Sequence, residues 1–443
     1  MEENKIKFAE NEENHIENHR HHSHSKRRYS HSHHQANPKT NSRKKQKLKK
    51  FIKKYRKQII LLAIIVILAS VLIMWAAIYD NIDNHKYDKP EDTIATEKIE
   101  GAVQIKIPLF GDSVCLVSPA VEEYLSPDFD GDLKALYNKY KVLGRLDEGL
   151  PVRLFYGIDG IPIGFNVTSA VIEVSQNSDF YSPAVYQLNT DENYVDVYSL
   201  KVNTQYYYRV NITLSDGQSI SSTGSFVTAN TPRMLKIDGA ANVRDIGGRT
   251  TTSDKTVRQG LLFRGSELDG AINPDYTVTA SGINEMLTVL GIKTDLDLRP
   301  QSDNPAGIDA LGMNVRHIYI PSTQYSGIFD AGSQPNIRKI FAELANPNNY
   351  PIYLHCTHGL DRTGTICYLL EAVLGMSEKE LLRDYELSAM YHKTVNTTEM
   401  ATMISNLKKF EGDTIQKKVE NYLLSIGVTS KEISDIKEIF LED

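Results

Sequence analysis

Cysteine is scarce, with only Cys115, Cys356 and Cys367 in 443 residues. Three thiols can close at most one bridge and leave one odd, which excludes a disulfide-stapled scaffold. Glycine and proline, at 27 and 16 residues, are too few for a collagen-like repeat. Charged residues make up 24% against 41% hydrophobic, a balance that excludes a wholly disordered chain and allows sizeable cores. Length alone suggests about three domains. Long uncharged apolar runs are missing as well, with one exception.

That run is Ile59 to Tyr79 (IILLAIIVILASVLIMWAAIY), 21 residues without a charge. Roughly 20 such residues span a bilayer as a helix, and a core helix is rarely apolar all round over that length. Residues 59–79 are therefore expected to be a transmembrane signal anchor in contact with the lipid bilayer. The rival is a leader cleaved near Ala76-Ala77, but the apolar region of a leader is usually only about 7–15 residues. Charge divides at the same place: 17 Lys+Arg face 6 Asp+Glu in residues 1–58, and 33 face 50 in the remainder. Lys44 to Lys57 is dense in cations, whereas Asp80 to Glu100 is acidic and mixed. The positive-inside rule then sets the N-terminus in the cytoplasm and the body outside the cell. An acidic body argues against nucleic-acid binding. Sparse cysteine and Lys/Asn/Ile usage suggest a bacterial cell surface.

Residues 1–58 carry many histidines among Ser, Asn and Lys and hold too little apolar material for a core. They are expected to be a disordered tail; the histidines follow no fixed metal-ligand spacing. Residues 80–100 read as a linker. From 101 to 230 the texture is of short strands, with Val171 to Val174, Tyr194 to Leu200, Gln205 to Leu214 and Ser219 to Thr228 rich in β-branched and aromatic residues. Asp216-Gly217 supplies a hairpin turn. The run LKVNTQYYYRV (Leu200 to Val210) resembles the penultimate strand of fibronectin type III domains, in which a Tyr closes the corner of an all-β sandwich. Gly101 to Gly149 fits that resemblance poorly.

From 231 to 443 strand-like and helix-like stretches alternate, predicting an α/β domain with a central sheet flanked by helices. Strands are expected at 261–264, 294–298, 315–320 and 352–355, and helices at 283–290, 337–344, 363–374 and 377–387. Between the last strand and the helix that follows it lies His355-Cys356-Thr357-His358-Gly359-Leu360-Asp361-Arg362-Thr363-Gly364. Backbone N–H groups of Thr357, His358, Gly359, Leu360 and their neighbours can form a nest for phosphate oxygens, reinforced by the helix N-terminus. Arg362 offers a planar fork that can bind two oxygens at once. A thiol at a helix N-terminus among cations ionises below its usual value of about 8.5, which suits Cys356 as a nucleophile. Thr363 is placed to steady the departing sulfur, and His355 to orient the loop. Asp361 is the first candidate for general acid and base, with Asp303, Asp309 and Asp330 as alternatives.

The loop resembles the signature of the protein-tyrosine phosphatase superfamily, and its Asp-Arg-Thr-Gly ending resembles the atypical bacterial tyrosine/lipid phosphatases. Asn242-Val243-Arg244-Asp245-Ile246-Gly247-Gly248, Leu262 to Leu268 and Asp297-Leu298-Arg299 occur in that family's order and spacing. The resemblance implies a phosphocysteine intermediate, a phosphotyrosine protein or another phosphomonoester as substrate, and no metal or cofactor. It further implies that Arg244, Asp245, Asp297 and Arg299 support the loop or the substrate. The family usually has Lys where this chain has Leu360, which weakens the alternative of a phosphoinositide or inositol-phosphate substrate. A third possibility is a surface adhesin carrying an inert phosphatase fold.

Overall fold

The computed structural model describes residues 103–442 apart from 130, 190, 305, 306 and 308. The expected tail, membrane span and linker lie outside the described residues. Among the described residues, no helix is long and apolar enough to cross a membrane.

The first part is β-rich. Its strands are β1 (Gln104–Lys106), β2 (Val152–Phe155), β3 (Gly157–Asp159), β4 (Val167–Ser175), β5 (Ala184–Leu188), β6 (Tyr194–Val197), β7 (Gln205–Leu214) and β8 (Ser219–Val227). An antiparallel sheet in the order β5-β4-β7-β8 shares one core with the pairs β1-β3 and β2-β6. Strand β7 organises it, because strict alternation turns Tyr206, Tyr208, Val210, Ile212 and Leu214 inward. The Tyr206 hydroxyl accepts from the Lys201 N–H at 2.9 Å, so a tyrosine bonds back to the chain just upstream. Gly217 takes φ +85° in the turn to β8, as the Asp-Gly pair requires.

The β-sandwich expected over residues 101–230, a resemblance that 101–149 fits poorly, is interrupted in that stretch by α1 (Pro119–Leu125) and α2 (Leu133–Tyr140). The Ser118 and Asp132 side chains cap these helices by accepting from Val121 N and Ala135 N. Val117, Ala120, Val121 and Tyr124 recur at helical spacing and bury against Met234, Leu387, Ala389 and Met390. The pair therefore packs on the second part of the chain, not into the β-rich core.

The second part is built on a six-stranded sheet. Its members are β9 (Arg233–Met234), β10 (Arg244–Asp245), β12 (Leu262–Gly265), β13 (Thr294–Asp297), β14 (Arg316–Tyr319) and β15 (Ile352–His355), in the order β14-β13-β15-β12-β10-β9. A separate small pair joins β11 (Thr256–Val257) to β16 (Leu441–Glu442). β14, β13, β15 and β12 run parallel. β12, β13 and β15 are buried at every position, as parallel strands covered on both faces must be.

The helices are α3 (Ala280–Asn284), α4 (Gln334–Leu344), α5 (Asp361–Val373), α6 (Glu378–Glu386), α7 (Ala389–His392), α8 (Thr397–Leu407), α9 (Ile415–Ser425) and α10 (Ser430–Phe440). Leu262, Leu296, Ile352 and Leu354 face a core shared with α4, α5, α8, α9 and α10. Phe263 and Tyr353 face a second core with Val278, Met286 and Leu290. The helix expected at 283–290 is α3 followed by one π-helical turn, Glu285–Val289. The helix expected from Thr363 begins two residues earlier, at Asp361.

Candidate active site

Cys356 follows the central parallel strand β15 at its carboxyl end, where open α/β sheets usually bind ligands. It is 2% exposed. The chain then turns through Thr357 to Leu360 into α5. Gly359 has φ +63°, and a Cβ there would collide with the backbone carbonyl of Gly265, so only glycine fits. Among the described residues, no N–H from Thr357 to Thr363 donates to a protein acceptor. Buried amides are nearly always paired, so such a run is a ready receptor for an anion. Arg362 arches over this run, donating to the Thr357 hydroxyl at 3.1 Å and to Asp303 at 3.3 Å. The Thr363 hydroxyl is buried with no hydrogen-bond partner.

The loop is held from behind through its carbonyls. Asn242 Nδ2 donates to Gly359 O at 3.1 Å and His358 O at 3.3 Å, and Arg264 donates to Gly359 O at 2.7 Å. Arg244 and Arg264 converge on Asp384, Arg244 doing so at 2.8 Å. Burial works against an ionised Asp384, but Arg244, Arg264 and Arg249 outweigh it and hold the carboxyl well below the usual range. With their carbonyls engaged from below, the loop amides have no backbone partner to return to.

His355 sits one residue before Cys356, in register with Asp297 on β13. Its Nε2 lies 2.9 Å from Asp295, and its Nδ1 lies 3.2 Å from the Cys356 carbonyl and 4.0 Å from Asp297. Burial disfavours the charged ring, yet the two carboxylates prevail and push its pKa up to about 9. The imidazolium thus fixes the base of the cup and adds positive charge there.

The residues implied by the resemblance divide by position. Arg244 braces the loop through Asn242 and Asp384. Arg299 is tied to Glu267, Asp269 and Asp297 at 2.6, 2.7 and 2.8 Å. Asp297 is thereby engaged from two sides, by Arg299 and His355. Neither Arg299 nor Asp297 is free to meet a substrate; they hold β13 and the chain after β12 beneath the cup. Asp245 departs from expectation, because it touches neither loop nor cup. It pairs with Arg233 at 2.7 Å and accepts from Gly247 and Gly260. Since Arg233 also donates to Ser199 O and Leu200 O, Asp245 anchors the joint to the β-rich part.

The Asp361 carboxylate, at the first position of α5, accepts from the Tyr325 hydroxyl, which in turn lies 2.7 Å from that of Tyr385. Asp303 faces Arg362, whereas Asp309 and Asp330 make no hydrogen bond or ion pair to the loop. Sequence reasoning missed Tyr325, Asp295 and Ser388, the last donating no signal of its own. Asp295 could have been found, because two carboxylates in a wholly buried strand require cationic partners.

Comparison with known proteins agrees with this geometry. Residues 235–442 match the tyrosine phosphatase family. A tyrosine-protein phosphatase of Nostoc commune is 22% identical over 289 residues, covering 52% of this chain and 97% of that one. A Cupriavidus necator protein, assigned only provisionally as a tyrosine-protein phosphatase, is 27% identical over 193 residues, covering 38% and 68%. A solved structure, the core catalytic domain of a PP-IP phosphatase from S. cerevisiae, aligns with 42% of this chain and 94% of its own at 14% identity, with a TM-score of 0.26. The last value adds nothing to the assignment. The family match and the named relatives support a phosphatase of the protein-tyrosine phosphatase superfamily.

Proposed function

We propose that this chain is a membrane-anchored phosphatase that hydrolyses phosphomonoesters, chiefly protein phosphotyrosine, through phosphocysteine. The observation that carries the reading is the run of unpartnered amides from Thr357 to Thr363, with Cys356 at its start and Arg362 over it. The amides and the guanidinium bind the three non-bridging oxygens and gain strength as charge spreads over them in the transition state. The Cys356 thiolate attacks phosphorus, an S–P bond forms, and the P–O bond to the leaving group breaks. Asp361 gives the departing oxygen a proton. The same carboxylate then takes a proton from water, whose oxygen attacks phosphorus, releasing inorganic phosphate and the thiolate. The Thr363 hydroxyl, otherwise unpartnered, donates to the sulfur as it leaves.

Asp303 is the competing acid, supported by its contact with Arg362. Leu360 at the rim removes a cation that a highly charged phosphoinositide would use, which favours an aryl phosphate. The apolar run 59–79 supports anchoring with the body outside the cell. The Tyr206 bond back to Lys201 supports a fibronectin type III-like spacer for the β-rich part.

The test is turnover of p-nitrophenyl phosphate, a phosphotyrosine peptide and a phosphoinositide by the full chain, with vanadate as inhibitor. Turnover abolished by Cys356→Ser and blocked by vanadate is expected, with the peptide preferred. Equal turnover by Cys356→Ser would sink the mechanism, and preference for the phosphoinositide would overturn the substrate assignment.

A further inference from the structure

The family match begins at residue 235, yet the loop is braced by a residue far upstream of it. Asp147 follows α2 and is 1% exposed. One of its oxygens accepts from Asn242 N at 2.7 Å. Both oxygens also hold Arg145, at 2.7 and 2.8 Å, and Arg145 in turn donates to Ala240 O at 3.1 Å. Two consecutive turns of the second part are thus gripped by one carboxylate–guanidinium pair from the first.

The grip falls at a special backbone position: Asn242 has φ +58°, a left-handed conformation that few residues besides glycine and asparagine adopt. In that conformation its N–H donates to Asp147 while its side-chain Nδ2 donates to His358 O, Gly359 O and the Ser388 hydroxyl. The bond to a buried carboxylate is charge-assisted, among the stronger kinds a backbone amide can make. Asp147 is therefore linked to the Cys356 loop through a single residue.

The geometry assigns Asp147 as a positioning residue for the phosphate cup. This inference rests on the phosphatase reading for its functional meaning. Its structural content, that Asp147 holds Asn242 and hence the loop, can be measured without turnover.

The experiment compares Asp147→Ala, Asp147→Asn and the control Leu136→Ala in the full chain. Leu136 belongs to the same docked helical pair but is one of its apolar core residues. Hydrogen–deuterium exchange is followed in the peptide spanning 355–364, alongside thermal denaturation, kcat and KM for p-nitrophenyl phosphate. Asp147→Ala is expected to speed exchange in that peptide and to lower kcat about tenfold or more, since small misplacement of reacting groups costs rate steeply. Asp147→Asn, which keeps an oxygen facing Asn242 N, is expected to recover most of both. Leu136→Ala is expected to lower the melting temperature with kcat of the folded protein unchanged. Loop exchange and kcat in Asp147→Ala equal to wild type would overturn the inference. So would losses in Asp147→Ala and Leu136→Ala that scale with melting temperature alone, or an Asp147→Asn no better than Ala. Should Asp147→Ala not fold, Asp147→Ser is read in its place: fast loop exchange and low kcat at normal melting temperature support the assignment, and wild-type exchange with wild-type kcat refutes it. A wild-type chain without turnover would strike the phosphatase reading and leave the exchange comparison standing.

Discussion

Gly359 and Arg362 are the positions at which a single atom group decides the site. At Gly359 both the left-handed backbone and the approach of the Gly265 carbonyl exclude a side chain. Gly359→Ala is expected to lose about 1–3 kcal/mol of stability by denaturant titration and to bind vanadate more weakly, because the amide nest cannot close. Arg362→Lys keeps the charge but not the fork. A fall in kcat/KM of about a hundredfold is expected, while a loss of less than threefold would show that the guanidinium plane is not used. The choice between the two acids also belongs to this scale. If Asp361 protonates the leaving oxygen, Asp361→Asn should slow an alkyl phosphate far more than p-nitrophenyl phosphate, whose leaving group needs little help. The same pattern in Asp303→Asn, with Asp361→Asn indifferent to the leaving group, would transfer the role to Asp303.

At the scale of elements, the neighbouring strands β13 and β15 bring Asp295, Asp297 and His355 together. Because the folded pKa of His355 is raised to about 9 from an unfolded value near 6.5, its stabilising effect is complete below about pH 6.5 and fades as pH climbs through 9. Melting temperature should therefore fall across that window in wild type, and the fall should shrink in His355→Asn; an equal slope in both would refute the ion-pair account. The four parallel strands, strand β7, the loop and helices α3 to α6 were legible in sequence, because period-two alternation in β7 and wholly apolar stretches such as Ile352 to Leu354 leave few choices; helices α7 to α10 and the short strands were not. The α1–α2 pair was not, since its apolar spacing announces a helix only once the surface it covers is known, and Met234, Leu387 and Met390 lie far along the chain. Asp245 misled for a related reason. Its motif position suggested the cup, but the cation that pairs with it, Arg233 on the neighbouring strand β9, drew it to the joint.

Over the whole molecule, the expected anchor and the described body make separate claims. If residues 59–79 span the bilayer, the full chain should remain in the membrane pellet after alkaline carbonate extraction, and a chain lacking residues 1–80 should not. Recovery of the full chain in the supernatant would refute anchoring. The sulfur chemistry at this scale is simple. Cys367 is fully buried, and burial pushes its thiol up to about 12, so it behaves as a core residue.

The path of the chain carries a last consequence. It enters the β-rich core, leaves it to lay α1 and α2 on the catalytic sheet's side, returns for β2 to β8, and leaves again at about residue 231. A protease cutting between the two parts would sever a peptide bond without parting the pieces, since residues 117–147 would still grip Met234 and Asn242. If the chain is anchored as proposed, releasing the phosphatase part would thus require cleavage upstream of residue 103, and the β-rich part would travel with it.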